Sequence, residues 1–249
     1  MLDFDPSIAV LLGDVWSQRR ARDWIVIPTN IGWRQDGSNP MGKGLARKAA
    51  QKYKPLPAWY GALCRQHMNN TPTLAHPHWN LILFPTKSLD ARRPWASWQQ
   101  PASLELIQRS LGHLSAVMPH LPRGGRVLLP AVGCGEGGLD PAEIVPILLD
   151  YQAREERVRI VLLPETAAKV QCPLCQATGG GCQYCRDSGT LLPEGWKEFD
   201  GDDPFGLFSN GGRSTPTAAA DDNRYAMDDA VRDGDYDDGH DHWKLLESL

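Results

Sequence analysis

The chain has 249 residues, 41% of them hydrophobic, with a formal net charge of −4. That length supports one good core and a small accessory module. No run reaches the roughly 18 apolar residues of a membrane span and no basic-then-apolar leader opens the chain, so a soluble, cytoplasmic protein without a membrane partner is expected.

Taken in order, Ser7–Leu12 is a short apolar run that reads as a sheet strand. Asp14 follows it, in position either to cap the next turn or to face a ligand. Arg19, Arg20 and Arg22 read as a solvated loop ahead of a second strand, which starts at Asp23 and breaks at Pro28. The segment Met41-Gly-Lys-Gly-Leu-Ala46 leads into good helix formers through Lys52, so Gly42 and Gly44 stand where a strand gives way to a helix. Glycine there lets main-chain amides approach a ligand, and the helix start adds unpaired N–H groups. The stretch is a candidate cradle for a diphosphate, or simply a glycine turn entering a packed helix.

Trp59, Tyr60 and Leu63 are expected to face the core, and His67, His76 and His78 read as loop or surface histidines. Trp79–Phe84 is a strand ended by Pro85, which leaves Lys87 just past its terminus. Residues 101–118 form an amphipathic helix with Leu104, Ile107, Leu111, Leu114 and Val117 on one face. Gly125–Pro130 is another buried strand, running into the glycine-rich loop Ala131-Val-Gly-Cys-Gly-Glu-Gly-Gly-Leu-Asp140. Cys134 reads there as a small packing residue. Asp140 as N-cap and Pro141 at the first helical position open the next helix, and Arg157–Leu163 is a late strand closed by Pro164. Two strands thus end in glycine loops that precede helices, an arrangement that brackets a ligand crevice at the carboxyl ends of an open α/β sheet.

These residues resemble the macrodomain family, whose members bind ADP-ribose, over roughly the first two-thirds of the chain. Leu12-Gly-Asp-Val15, Pro28-Thr-Asn30, Met41-Gly-Lys-Gly-Leu-Ala46 and Pro130-Ala-Val-Gly-Cys-Gly-Glu-Gly-Gly-Leu139 follow one another in the family's order. The resemblance implies that Asp14 hydrogen-bonds the adenine amino group, that Val15 joins the ligand site and that Asn30 lies near the distal ribose. It implies that Met41, Gly42, Lys43, Gly44 and Leu45 form the first phosphate loop. Val132, Gly133, Cys134, Gly135, Glu136 and Gly137 would form the second. Phe84-Pro-Thr-Lys87, followed by Trp95 and the run Ser103–Gly112, is similar to the macrodomain antitoxins that remove ADP-ribose from DNA bases. That likeness implies that Lys87 acts at the anomeric carbon, in a field supplied by Lys43 and Arg92 or Arg93. The chain departs from the protein glycohydrolases where they carry an acid in the second loop: Gly137 stands there, beside Glu136.

Cys172-Pro-Leu-Cys175 and Cys182-Gln-Tyr-Cys185 are two Cys-x-x-Cys knuckles ten residues apart, with Gly179 and Gly189 each four residues further on. They are similar to the zinc repeats of DnaJ-type chaperones, although Ala177 and Asp187 replace the first glycine of each repeat. Four thiolates make a closed structural zinc site, the alternatives being disulfides or a redox pair. Residues 201–249 hold four Lys/Arg against twelve Asp/Glu, leaving the body at +4, which suits an anionic ligand or nucleic acid. The tail reads as disordered, with His240 and His242 beside Asp238 and Asp241 in a solvated acidic stretch, and Trp243–Leu249 as a short docking segment.

The expected organisation is a three-layer α/β/α macrodomain sandwich with a mixed sheet over residues 1–166, a four-cysteine zinc module over 167–199 and an acidic tail over 200–249. The expected function is hydrolysis of ADP-ribose from a modified DNA or protein, with ADP-ribose as ligand or product and no organic cofactor. The competing readings are a non-catalytic reader of ADP-ribosylated targets and a nucleic-acid adaptor acting through the zinc module or the basic body.

Overall fold

The computed structural model describes residues 10–176, 182, 184–193 and 195. Residues 1–9, Gly179 and the acidic tail with its histidines and docking segment lie outside the described residues.

Among the described residues six strands form one sheet in the order β1-β6-β5-β2-β4-β3. They are β1 (Leu11–Leu12), β2 (Trp24–Asn30), β3 (Leu74–His76), β4 (Leu81–Lys87), β5 (Val127–Pro130) and β6 (Val158–Leu162). Only β3 runs antiparallel to its neighbour, so the carboxyl ends of the other five share one edge. Among the described residues five helices accompany them: α1 (Gly44–Lys52), α2 (Leu56–His67), α3 (Leu104–Val117), α4 (Pro141–Arg154) and the single turn α5 (Pro164–Ala167).

Alternation along the strands builds two apolar faces. Ile25, Ile27, Leu81 and Leu83 point to one side, where Ala46 and Ala49 of α1 and Leu56, Tyr60 and Cys64 of α2 cover them. Trp24, Val26, Ile82 and Phe84 point to the other, against Ile107, Leu111 and Leu114 of α3 and Ile144, Val145 and Leu148 of α4. The result is a three-layer α/β/α sandwich. Ser103 caps α3 through Leu106 N–H at 3.2 Å, and Asp140 caps α4 through Ala142 N–H at 2.9 Å, ahead of Pro141. On α3 the apolar face includes Leu106, and Leu104 is turned outward with 38% of its surface exposed.

Both expected strand ends shift, for one reason. β2 continues through Pro28 to Asn30, and β4 through Pro85 to Lys87. Proline is barred from a strand only where its missing N–H was needed. β2 pairs with β5 only at Trp24 and Ile25. Trp24 N–H donates to Arg126 O on the β5 side and Ile25 N–H to Asn80 O on the β4 side, so by alternation Pro28 lacks its donor towards β5, where pairing has already stopped. β3 reaches β4 only as far as Leu83, so the far side of β4 is likewise open at Pro85. A register shift between Thr29 and Asn30 then sets Asn30 opposite Lys87, the local re-aiming a bulge produces.

The polar segment between β2 and α1 is bolted down by Asn39, which is fully buried. Its side-chain amide donates to Asn30 O at 2.9 Å and to Gly32 O at 2.8 Å, and its backbone N–H donates to Pro57 O at 2.7 Å. Gly61 of α2 abuts this segment: a Cβ there would overlap Gly37 O and lie 2.5 Å from Asn39 N.

His76 is not a surface residue. It is 8% exposed in β3 and stacks on Trp79 with ring centroids 3.7 Å apart. Burial, with His78 adding to it, pushes its pKa down to about 4. Arg19, from the basic cluster before β2, donates to Tyr53 Oη at 3.1 Å and Trp79 O at 2.9 Å.

Two predictions follow from this packing. Gly61→Ala should cost about 2 kcal/mol or more of stability through overpacking, read as a lower urea midpoint. Because the folded pKa of His76 lies below its unfolded value near 6.5, the unfolded state takes up the proton first, and stability should fall as pH drops from about 6.5 towards about 4. His113, also lowered by burial, contributes in the same direction. In urea titrations across that range, His76→Gln should flatten most of the decline.

Candidate functional site

A cleft of about 920 Å³ runs along the carboxyl edge of the parallel strands. Its walls are the segments that follow each strand: Asp14 and Val15 after β1, Leu163 to Lys169 after β6, the second glycine loop after β5, Asn30 and the first glycine loop after β2, and Lys87 at the end of β4. From β1 to β4 is four strand intervals, or roughly 19 Å at about 4.8 Å each. Asp14 and Lys87 therefore stand at opposite ends of a slot as long as a dinucleotide. Its middle lies where β2 and β5 part, the point at which chain order reverses in the sheet and ligands characteristically bind.

Glycine shapes both loops, the first through a left-handed backbone and the second where a side chain would not fit. Gly44 opens α1 at φ +54°, and α1 has neither a side-chain cap nor an acidic residue in its first turn, so its leading N–H groups and positive dipole end remain available. Gly133 has φ +86°, and a Cβ there would come within 2.9 Å of Ile107 and Leu139. Gly137 packs against Gly133 O, and its own carbonyl accepts from Ala102 N–H at 2.9 Å.

Of the residues singled out from sequence, Asp14, Val15, Asn30, Gly42, Lys43, Gly44, Leu45, Lys87, Gly133, Cys134, Gly135, Glu136 and Gly137 line the cleft. Met41 and Val132 do not. Both are buried in the packing behind the loops, Met41 at 5% and Val132 at 0% exposure. A loop's neighbours in sequence alternate between facing the ligand and anchoring the loop, and spacing alone does not say which. Asp14 combines its two readings: Oδ1 accepts from Trp16 N–H at 2.8 Å as a turn cap, while Oδ2 accepts from Lys48 Nζ at 2.7 Å. Asn30 Oδ1 accepts from Gly32 N–H at 3.0 Å.

Lys87 donates to Trp98 O at 2.8 Å and Glu136 O at 2.7 Å. Burial lowers its pKa; the Glu136 carboxylate opposes the shift and Lys43 adds to it. The field at Lys87 comes from Glu136 and Lys43 rather than from Arg92 or Arg93, and Arg93 is held by Asp90 at 3.2 Å. The Glu136 side chain turns to the rim, where it accepts from Lys43 Nζ at 3.0 Å and links the two loops. Lys43 also lies 5.6 Å from the ring centroid of Trp98. Burial pushes the Cys134 thiol up to about 11, with Asp140 adding to the shift, in keeping with a packing role.

Trp98, Thr166 and Lys169, in none of the motifs quoted from sequence, also lie on the cleft, as do Thr29 and Thr86 from within those motifs. Trp95, quoted from sequence as part of the resemblance, is 55% exposed. The Trp-x-x-Trp spacing within the 3₁₀ turn Pro94–Gln99 was the one available signal for Trp98.

The four knuckle cysteines converge, with all sulfurs within 4.8 Å of one another. Cys172 and Cys182 are 3.9 Å apart, and Cys175 and Cys185 are 3.5 Å apart. Four thiolates at zinc's usual bond length of about 2.3 Å form a tetrahedron with edges of about 3.8 Å, so the cluster can hold a metal ion. The residue after each second cysteine is left-handed, Gln176 at φ +46° and Arg186 at φ +49°, giving the two knuckles the same turn.

No known protein family matches the chain by sequence, and no curated protein does. Solved structures do resemble it. DarTG of Thermosipho africanus, determined in complex with ADP-ribose, superposes with a TM-score of 0.50 at 20% identity, covering 68% of this chain and 45% of that one. This chain thus spans less than half of that protein. The macrodomains of DarG from Mycobacterium tuberculosis (TM-score 0.48, 23% identity, 62% of this chain and 98% of that one) and Thermus aquaticus (0.48, 20%, 62% and 95%) are also similar. At these identities the likeness speaks to the fold alone. With the mixed six-stranded sheet, the two helical layers and the cleft along the parallel edge, the superposition on DarTG shows a macrodomain-like α/β/α fold.

Proposed function

We propose that the cleft binds ADP-ribose and that the chain hydrolyses an ADP-ribosyl linkage on a modified nucleic acid or protein. The observation that carries this reading is the order of groups along a slot of dinucleotide length: a carboxylate at one end, two glycine loops in the middle and a partly desolvated amine at the other. Asp14 accepts from the adenine amino group in exchange for Lys48. The N–H groups at Lys43–Leu45 and Gly135–Gly137 take the diphosphate. Asn30 lies at the distal ribose. The ADP-ribose bound to the structurally similar DarTG supports the same ligand class.

Lys87 performs the chemistry. Burial raises the fraction of neutral amine, which attacks the anomeric carbon as the bond to the modified group breaks. The departing group leaves with that bond's electron pair and takes the proton given up by the attacking nitrogen, so no separate acid is invoked. Water then hydrolyses the amine–sugar adduct, returning the free lysine and releasing ADP-ribose. A reader that binds without turnover is favoured by one observation: Glu136, the carboxylate of the second loop, is paired with Lys43 at the rim. At the four cysteines the metal is zinc in a structural role, since a closed thiolate set leaves no open position.

Calorimetry with ADP-ribose should show binding in wild type and in Lys87→Ala alike. Release of ADP-ribose from modified DNA or protein should fall at least about 100-fold in that variant, as for loss of a nucleophile. Wild-type turnover should rise with pH, with a midpoint below the 10.5 of an ordinary lysine. Absence of binding sinks the whole reading, whereas binding without turnover by wild type leaves a reader. Metal analysis of reduced protein should find one zinc per chain, and Cys172→Ser should lose it and melt earlier.

A further inference from the structure

Two separate connections run from the four-cysteine segment to the same end of the cleft. Lys169 lines the cleft, and the residue after it, Val170, is 2% exposed and held from the knuckle side. Leu191 N–H donates to Val170 O at 2.9 Å, Gln171 bridges Thr190, and Cys172 N–H donates to Gly189 O at 2.8 Å. The second connection is Tyr184, which lies between Cys182 and Cys185. Its Oη accepts from Val10 N–H at 3.4 Å, and its ring packs against the core that contains Val10 and Leu191. Val10 leads directly into β1 and so to Asp14.

The two walls served by these connections have little structure of their own. β1 is two residues long and, as the edge strand, pairs only with β6. α5, which carries Glu165 and Thr166 on the cleft, is four residues long. Elements this short gain their order from what packs on them. Here that support includes the four-cysteine segment, and in a site of this type metal binding is folding free energy.

We propose that metal occupancy at Cys172, Cys175, Cys182 and Cys185 shapes the β1–β6 end of the cleft, so that adenosine recognition is coupled to metal loading, with Tyr184 as a positioning residue. The proposal rests on the ADP-ribose reading of the cleft. It makes ligand binding sensitive to metal loss and thiol oxidation, and by linkage the nucleotide tightens metal binding by the same factor.

The test uses the full chain under reducing conditions, zinc-loaded and then stripped by a chelator, with AMP as probe of the adenosine end. Stripping should weaken AMP binding about tenfold or more, a coupling of about 1.4 kcal/mol. Saturating AMP should raise zinc affinity, measured at equilibrium against the chelator, by the same factor. Tyr184→Phe, at full zinc content, should weaken AMP by about 2- to 5-fold, equivalent to loss of part of one hydrogen bond. Equal AMP affinity in loaded and stripped protein overturns the coupling while leaving the cleft reading intact. If stripping unfolds the chain, Tyr184→Phe decides: weaker AMP binding at full zinc supports the proposal, and unchanged binding overturns it. Loaded wild type that binds neither AMP nor ADP-ribose sinks both readings.

Discussion

The site depends on the parting of β2 from β5. These strands are paired only at Trp24 and Ile25 with Val127 and Leu128, and each then carries a proline, Pro28 and Pro130, as it leaves its partner. A continuous ladder would leave no room between the loops that follow. With the ladder stopped, both glycine loops face one another across an opening lined by backbone amides, and the cores above and below stay closed. The tight turns that fill the opening tolerate no side chains at Gly133 and Gly137, where an added Cβ meets neighbouring atoms at 2.9 Å or closer.

Charge is arranged around that opening with one cation from each side. Lys43 enters from the first loop and is drawn to Glu136 on the second, a half-exposed pair whose contribution to stability is small. Its significance is geometric, since it ties the rims of the two loops together. Lys87 approaches from below, fastened by two carbonyls, one of them Glu136 O. The second loop thus holds one lysine by its backbone and another by its side chain, and a ligand entering the slot meets both. The opposite end is built differently, from a two-residue strand, a four-residue helix and the packing of the cysteine segment, so the rigid sheet centre and the supported edge contribute unequally to one cleft.

The layered fold and the two glycine loops were legible because they are local. Apolar runs of strand length, Asp140-Pro141 at a helix start and glycines ahead of helix formers each act within a few residues. The expected breaks at Pro28 and Pro85 misplaced the strand ends because proline's cost depends on whether a partner strand is present on that side, which is a property of the sheet. His76 was assigned to the surface for a similar reason: nothing in its neighbours in sequence announces the stack with Trp79 or the contact with Trp59. Met41 and Val132 show the limit within a loop, where an anchoring residue and a lining residue look alike until the turn is folded.

By itself the sequence determined the α/β alternation, the positions of the glycine turns, the lysine two residues past Pro85 and the four-cysteine repeat, since each is a matter of residue type at short spacing. Tertiary structure alone decided that Lys43 meets Glu136, that Trp98 and Glu136 carbonyls hold Lys87, and that Tyr184 reaches Val10 across 174 positions of chain. Such contacts are selected by the packing of whole layers, and local propensity carries no information about which distant atoms that packing brings within hydrogen-bond reach.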